Sequence, residues 1–275
     1  MIGRLRIHGL FFIVLAAAVL VPRFPAGAEA GRPGRAAPRW VVSTKGTVLE
    51  IAYGSGTKTP QYGALHLDSG YFRLVPGSDS HWGTSLILLP VFWQGGVLYQ
   101  GASVTADDAV SDEGDLILEV KGRISSLDVV TVVRIIPPLK GLIAAVVSVK
   151  VGGSVLLDKR PGEAFKLVTL SSMHISGQKW DCQEAWSGPR TFPIPAQGWI
   201  VSPADPGADF GLQGGTSAWK KNAPTVSVRM DRDWKITGWV TKSADPNDDN
   251  VAFWAASDKL VRSWRYLVAV SRPAF

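Results

Sequence analysis

The sequence contains one cysteine, Cys182, so no disulfide can form within the chain. A chain of 275 residues, 46% of them hydrophobic, can instead bury a core large enough to stabilise a fold. Cys182 is interpreted as a small buried apolar side chain, because the charged neighbours that activate a reactive thiol are not evident around it in the sequence.

Histidine is scarce as well. Apart from His8, the chain has only His66, His81 and His174, and no two of these have the spacing of a zinc site. The sequence also has no P-loop, no dinucleotide-binding fingerprint and no Cys-x-x-Cys pair. No metal ion and no cofactor are therefore predicted.

Most of the chain has no large excess of either positive or negative residues. After residue 28 there are 26 basic and 23 acidic residues, and from Trp40 onward there are 23 and 22. A nearly neutral protein lacks the basic surface that nucleic-acid binders use. We therefore expect no nucleic-acid partner.

The N-terminus has the pattern of an export signal. Arg4 and Arg6 precede an apolar run from Gly9 to Val21, and small residues follow at Ala26-Gly27-Ala28. The run is shorter than the roughly 20 residues of a membrane-spanning helix and typical of a signal-peptide core. Residues 1–28 are predicted to be a cleaved signal peptide, so the mature protein would be secreted or periplasmic and would have no membrane span.

Strand signals separated by turn signals fill the rest of the sequence. Segments rich in Val, Ile and aromatic residues, such as Phe165–Ile175, Thr225–Met230 and Lys235–Thr241, are separated by Gly, Pro, Asp and Asn. Ser85–Trp93 and Val97–Thr105 are each predicted to be one strand. Thr191–Ser217 is predicted to be a long, irregular loop region that contains one short strand, Trp199–Ser202, and Gly162–Phe165 and Ala256–Val261 to be short helical turns.

Some of these strands alternate polar and apolar residues, whereas others are apolar throughout, which favours two large sheets packed face to face. We predict an all-β, two-sheet antiparallel β-sandwich over residues 40–275, preceded by a flexible leader over residues 29–39. The architecture is similar, by analogy alone, to the very large sandwich of galactose-mutarotase-type domains, sugar epimerases and domains of polysaccharide lyases and glycosidases.

Tryptophan is abundant, with 11 residues that all follow position 39. A tryptophan ring can stack on the apolar face of a sugar, and it can equally fill a core. The segment from Trp180 to Trp186 combines two tryptophans with Asp181 and Glu184. A second polar segment, Gly77–Gly83, holds Asp79, His81 and Trp82 in a predicted loop.

These segments suggest a secreted protein that binds or acts on a carbohydrate, with a glycan or polysaccharide as partner. Stacking is assigned to Trp82, Trp180, Trp186 and Trp219, and polar contacts to Asp79, His81, Asp181 and Glu184. If the protein is an enzyme, His81 or His174 would be the base and Glu184 or Asp181 the acid. The alternative hypothesis is a non-catalytic structural or adhesive protein of the cell envelope, in which the tryptophans are core residues.

Two acidic stretches are compared with calcium loops. Asp245–Asn250 begins with oxygen ligands at alternate positions but lacks the glycine and the final glutamate of an EF-hand. Asp107 to Asp115 is predicted to form a hairpin turn. Solvated loops explain both stretches, so calcium is kept only as an alternative for the first.

Overall fold

Stretches in which Val, Ile and aromatic residues alternate with polar ones become β-strands in this protein. The computed structural model describes residues 37–55, 59–75, 82–94, 97–139, 142–153, 165–175, 182–193, 195, 197–202, 209–214, 225–230, 235–241, 250–257 and 261–271. Every regular element within these ranges is a strand. The predicted all-β class with two antiparallel sheets is confirmed.

The first sheet has eleven strands. They are β1 (Arg39–Lys45), β2 (Val48–Gly54), β3 (Gln61–His66), β4 (Tyr71–Leu74), β5 (Trp82–Ile87), β6 (Val91–Gln94), β7 (Val97–Tyr99), β12 (Phe165–Ile175), β15 (Gly198–Val201), β18 (Lys235–Thr241) and β19 (Asn250–Ser257). Their order is β1-β2-β3-β4-β5-β12-β19-β18-β15, while β6 pairs with β12 and β7.

The second sheet has nine strands. They are β8 (Val104–Val110), β9 (Leu116–Ile124), β10 (Leu127–Leu139), β11 (Leu142–Gly152), β13 (Cys182–Ser187), β14 (Arg190–Pro193), β16 (Asp209–Gly214), β17 (Thr225–Met230) and β20 (Ser263–Ser271). Their order is β14-β13-β16-β17-β20-β11-β10-β9-β8.

The core lies between the two sheets, because alternate residues of each strand point towards the other sheet. Leu65 and Phe72 of the first sheet and Val133 and Val268 of the second are fully buried in one cluster. A hydrogen bond also joins the layers within this core. The hydroxyl of buried Thr131 in β10 donates to the carbonyl of Leu88, which follows β5, at 2.7 Å.

A second bond joins the layers at the edge. The indole Nε1 of Trp40 in β1 donates to the carbonyl of Gly114, in the β8–β9 turn, at 2.9 Å. The chain between these two residues crosses from the first sheet to the second, so the bond ties the first strand of one sheet to the edge hairpin of the other.

Two long strands of the prediction are each divided in the structure. Ser85–Trp93 becomes β5 and β6, since Pro90 has no N–H and disfavours continuation at the residue before it. Leu89 then turns into the core, where it is 2% exposed, and Gly122 leaves space for it: a Cβ added at Gly122 would lie 2.8 Å from both Leu89 methyl carbons. Val97–Thr105 likewise becomes β7 and β8, which belong to different sheets.

Three further predictions of irregular structure are wrong at the residues that the structure describes. Thr191–Ser217, where only Trp199–Ser202 is predicted as a strand, contains most of β14 and all of β15 and β16; β14 is a four-residue strand too short for a clear alternating pattern. Ala256 and Ser257 extend β19 and do not begin a helical turn, and Phe165 begins β12. Residues 162–164 lie outside the described ranges, as does nearly all of the predicted signal peptide and leader.

No helix in the part of the chain that the structure describes is long and apolar enough to cross a membrane.

Candidate functional site

The candidate residues from the sequence fall on both sheets. Trp82 begins β5 and is the cross-strand partner of Ile175 in β12, while His174 is the partner of Gly83. Glu184 and Trp186 belong to β13 in the second sheet. The proposed acid Glu184 and the proposed base His174 therefore belong to different layers of the sandwich.

The other candidates lie outside the described residues. These are Asp79, His81, Trp180, Asp181 and Trp219, together with residues 245–249 of the compared calcium loop. Their assigned roles stay predictions.

Trp186 covers a glycine. A Cβ added at Gly211 would lie 2.1 Å from Cε2 and Cζ2 of the Trp186 ring, so the ring rests directly on the glycine backbone of the neighbouring strand. Aromatic side chains commonly cover cross-strand glycines in this way. The register also shifts between Cys182 and Glu184, which interrupts the alternation of faces along β13. Trp186 thus has a clear packing role.

A continuous row of residues crosses the outer face of the first sheet, the face opposite the core. Each member is the direct cross-strand partner of the next, over eight strands. We call this set the outer row; it consists of Glu50, Ala64, Arg73, Ser85, Ser172, Ala252, Trp239 and Trp199. The row joins residues far apart in sequence, so no local motif shows it.

Arg73 and Ser85 of the outer row belong to a polar group of residues that also includes two aromatic neighbours. The hydroxyl of Tyr71 donates to the hydroxyl oxygen of Ser85, which is 2% exposed even though it lies on the outer face. His66 packs edge-on against Tyr71, with ring centroids 5.8 Å apart. We call His66, Tyr71, Arg73 and Ser85 the Arg73 cluster. His66 follows the buried Leu65 in β3, so alternation places it on the opposite, outer face.

In β3, the pKa of one phenol is shifted. Burial raises the pKa of the Tyr62 hydroxyl in β3, and Tyr53 raises it further. The Tyr62 phenol therefore remains protonated at neutral pH. Glu50, at the β2 end of the outer row, is paired with Lys45, whose Nζ lies 2.7 Å from the glutamate oxygen.

The opposite end of the outer row is aromatic. Trp199 and Trp239 are cross-strand partners whose ring centroids lie 4.8 Å apart at an interplanar angle of 82°. Trp199 is 41% exposed on the edge strand β15. An exposed tryptophan held edge-on by a second one is a rigid apolar surface with a large contact area.

His174 joins this face rather than a site of its own. It lies two residues from the outer-row residue Ser172, and alternation places both positions on the outer side of β12. Its cross-strand partner in β5 is Gly83. The sequence missed Arg73, Tyr71 and Trp239 as site residues, because the signal for them is strand pairing.

The second acidic stretch is the β8–β9 hairpin, as predicted. Arg134 of β10 donates through Nε to the buried Asp115 and through Nη2 to Glu113 at 2.6 Å. The hydrogen bond to Asp115 raises the pKa of Arg134. This carboxylate is therefore used in a structural ion pair. No group of three metal-ligating side chains occurs among the residues that the structure describes.

Comparison with known proteins gives only distant likenesses. No protein-family model and no curated protein matches the sequence. A candidate aldose 1-epimerase from Escherichia coli K12 aligns with 87% of this chain and 100% of its own, with 11% identity and a TM-score of 0.37. A bacterial glucoamylase complexed with acarbose aligns with 88% of this chain and 34% of its own, with 8% identity and a TM-score of 0.36. The description of the fold rests on the strand pairing itself.

Proposed function

We propose that this protein binds a glycan along the outer row of the first sheet. The observation that carries the proposal is the arrangement of this row, with an arginine–tyrosine–serine cluster at one part and, at the other, a tryptophan pair in which Trp199 is exposed. Sugar rings combine apolar C–H faces with many hydroxyl groups, and such a surface offers partners to both.

Each part of the row has a distinct task. The indole of Trp199 stacks on the C–H face of a sugar ring, and Trp239 holds it in place. Arg73 donates hydrogen bonds to sugar oxygens, and the Tyr71–Ser85 bond fixes the polar surface beside it.

The spacing favours a chain of sugars over a single sugar. Arg73 and Trp199 are separated by five strand-to-strand steps, which is about 24 Å at the usual spacing of sheet strands. A ligand that contacts both ends must therefore be an oligosaccharide or a polysaccharide. Export, predicted from residues 1–28, would bring the protein into contact with such polymers outside the cytoplasm.

Binding is proposed in preference to hydrolysis or epimerisation. Among the positions that the structure describes, the outer row has one carboxylate, Glu50, and it is ion-paired with Lys45. The carboxylate candidate Glu184 lies on the second sheet. General acid–base chemistry needs its groups within hydrogen-bond reach of one substrate.

The test is a calorimetric titration with soluble oligosaccharides of increasing length. Trp199→Ala is expected to weaken binding about tenfold to a hundredfold, since a ligand ring stacked on an aromatic side chain contributes roughly 1–3 kcal/mol to the binding free energy. Leu139→Ala is the control, because Leu139 is also an exposed apolar side chain, 67% exposed, but belongs to the second sheet.

Equal affinity of the parent and Trp199→Ala would place the binding surface elsewhere, and Trp186→Ala would then test the β13 segment. If no oligosaccharide or polysaccharide binds, the proposal is wrong. The structural or adhesive role in the cell envelope would then be the hypothesis to pursue.

A further inference from the structure

We infer that two copies of this chain associate side by side, with β1 of each copy pairing with β8 of the other. The inference does not depend on the proposed function, since it concerns the edges of the sheets and not the outer row. It is carried by the position, the direction and the charge of these two strands.

β1 and β8 are terminal strands on the same side of the sandwich. β1 is first in the order of the first sheet, and β8 is last in that of the second. The bond from Trp40 to Gly114 holds the start of β1 against the β8–β9 turn. The N–H of Val104, at the start of β8, donates to the carbonyl of Leu67 at 2.8 Å. Beyond that bond, each strand pairs with one neighbour among the described strands, so its other edge offers N–H and C=O groups to a further strand.

The two strands run in opposite directions. β1 begins beside the β8–β9 turn, and β8 ends at the same turn. A two-fold axis parallel to the strands preserves their directions and exchanges the two layers. β1 of one copy then lies antiparallel to β8 of the second copy and in the same plane, and the pairing occurs twice. Each pairing joins the first sheet of one copy to the second sheet of the other.

The same symmetry determines the register, because rotation about this axis does not shift a strand along its length. The bond to Gly114 places Trp40 level with the end of β8. Trp40 therefore comes opposite Val110 of the second copy, and residues 40–45 pair with residues 105–110. In this register, core-facing positions of β1 meet core-facing positions of β8, so each side chain keeps its face.

The pairing covers two exposed apolar side chains. Val41 of β1 is 41% exposed, and Val110 of β8 is 59% exposed. In the dimer Val41 lies opposite Ala109 on the outer face, and Val110 lies opposite Trp40 on the side of the core. Directly opposed apolar pairs stabilise antiparallel strands.

Charge favours this pairing over pairing of like strands. β1 contains Arg39 and Lys45 and no acidic residue, whereas β8 contains Asp107 and Asp108 and no basic residue. Pairing β1 with β1, or β8 with β8, brings like charges together, which is unfavourable across strands. In the proposed register Lys45 lies diagonally across from Asp107 of the second copy. The occupant that fits these edges is therefore a second copy of the chain.

The ion pairs that these residues make within one copy are compatible with the dimer. Lys45 lies 2.7 Å from Glu50, and Asp107 lies 3.6 Å from Lys121. The side chains of Lys45 and Asp107 are 71% and 82% exposed, so water weakens both pairs and each charge can attract a second partner.

Sedimentation equilibrium of the parent protein, from about 1 µM to about 0.1 mM, should show a reversible dimer. Lys45→Glu and Asp107→Lys should each weaken self-association about tenfold, since the reversed charge meets a like charge twice in the dimer. The double variant should recover the affinity. In one copy the two side chains lie on the outer faces of different sheets, so recovery reports contact between copies. Lys150→Glu is the control, because Lys150 is exposed in β11, inside the second sheet, and should leave the affinity unchanged.

A cross-link tests the register without reversing any charge. The double variant Val41→Cys/Ala109→Cys is treated with oxidised glutathione, and mass spectrometry maps the disulfide. Opposed residues of antiparallel strands have the Cα separation that a disulfide requires, so a bond between positions 41 and 109 of different copies is expected.

Three outcomes overturn the inference. The first is a parent protein that stays monomeric up to about 0.1 mM. The second is a dimer whose affinity neither charge reversal lowers, and the third is a dimer that forms no disulfide between positions 41 and 109. All three leave the proposed function intact, because glycan binding is measured separately.

Discussion

At the scale of single residues, one hydrogen bond between the two sheets pairs polar atoms that are buried in the core, where an unpaired polar atom is costly. The carbonyl of Leu88 follows β5, where the sheet ladder stops, and the hydroxyl of Thr131 from the opposite layer binds it at 2.7 Å. Both residues are at most 1% exposed. Without this hydrogen bond, the free-energy cost of removing the Leu88 carbonyl from water would not be offset.

Thr131→Val is therefore expected to lower the free energy of unfolding by about 1–3 kcal/mol, since valine has the same shape but leaves the carbonyl without a donor. Urea unfolding followed by tryptophan fluorescence measures the change. Thr105→Val in the edge strand β8 is the control, because Thr105 is exposed and its replacement should change stability by less than about 0.5 kcal/mol. Equal effects of the two substitutions would show that the Thr131 bond contributes nothing specific.

The second constraint at the residue scale is the space around the glycines of the second sheet. A Cβ at Gly122 would lie 2.8 Å from both methyl carbons of Leu89, whereas a Cβ at Gly152 would meet its nearest atom, the Asp128 carbonyl oxygen, at 3.7 Å. Gly122→Ala should thus destabilise the protein by about 1–3 kcal/mol through overpacking. Gly152→Ala in β11 should be neutral or slightly stabilising, and thermal denaturation of the pair compares them. Loss of stability only in Gly152→Ala would contradict the packing described around Leu89.

At the scale of elements, the β8–β9 hairpin is attached to β10 by a charge. Asp115 is 1% exposed and binds Arg134, which also binds Glu113. The arginine is 39% exposed, so solvent weakens the attraction, but the carboxylate is dehydrated and needs a partner.

Asp115→Asn is expected to cost about 1–3 kcal/mol of stability, because the amide pairs less strongly with the guanidinium and leaves Arg134 with one carboxylate. The control is Asp128→Asn, which breaks the Arg123–Asp128 pair between the neighbouring strands β9 and β10, where the side chains are 71% and 66% exposed. That change should cost less than about 1 kcal/mol. Urea unfolding at one fixed low salt concentration gives both values, since urea is uncharged and does not screen the ion pairs, and a larger loss for Asp128→Asn would contradict this account of the hairpin.

Elements were also the level at which the sequence was most informative. The bounds of β12, β17 and β18 agree with the predicted segments, because each is a run of β-branched and aromatic residues limited by turn-forming ones. The predicted strand Trp199–Ser202 overlaps β15, whereas β14 is not predicted, because a four-residue strand has too few alternations to be recognised beside proline and glycine. An alternation with a period of two residues identifies a strand but not the neighbouring strand with which it pairs. The order of the strands within each sheet therefore does not follow from the sequence.

At the scale of the whole molecule, the order of the strands in the first sheet determines which residues lie together in the proposed site. The outer row joins Arg73 in β4 to Trp239 in β18 through strands that are distant in sequence. Local sequence patterns indicate the segments Trp180–Trp186 and Gly77–Gly83 and suggest a carbohydrate ligand, but they do not show the surface now proposed for it. His174 is the exception, since a run of strand residues around it was predicted with the right bounds.

The strand order also predicts that the chain folds as a whole. β20, near the C-terminus, lies in the interior of the second sheet between β17 and β11, and Val268 and Val270 on it belong to the common core. A chain that ends before Ser263 is expected to lack cooperative unfolding, whereas one that ends after Ser271 should keep it. Far-UV circular dichroism during heating distinguishes them, and a cooperative transition in the shorter chain would show that the sheets form without β20.

The alternation that separates the outer row from the core has a consequence for how such a protein can evolve. Arg73 and Trp239 face outward, while the adjacent Phe72 and Gly238 of the same strands are buried. In the proposed function, ligand recognition therefore uses the outward positions of each strand and packing uses the others. Substitutions at the outward positions would then change which polymer is recognised while the core is inherited unchanged, so sequences that diverge widely on one face can retain the same sandwich.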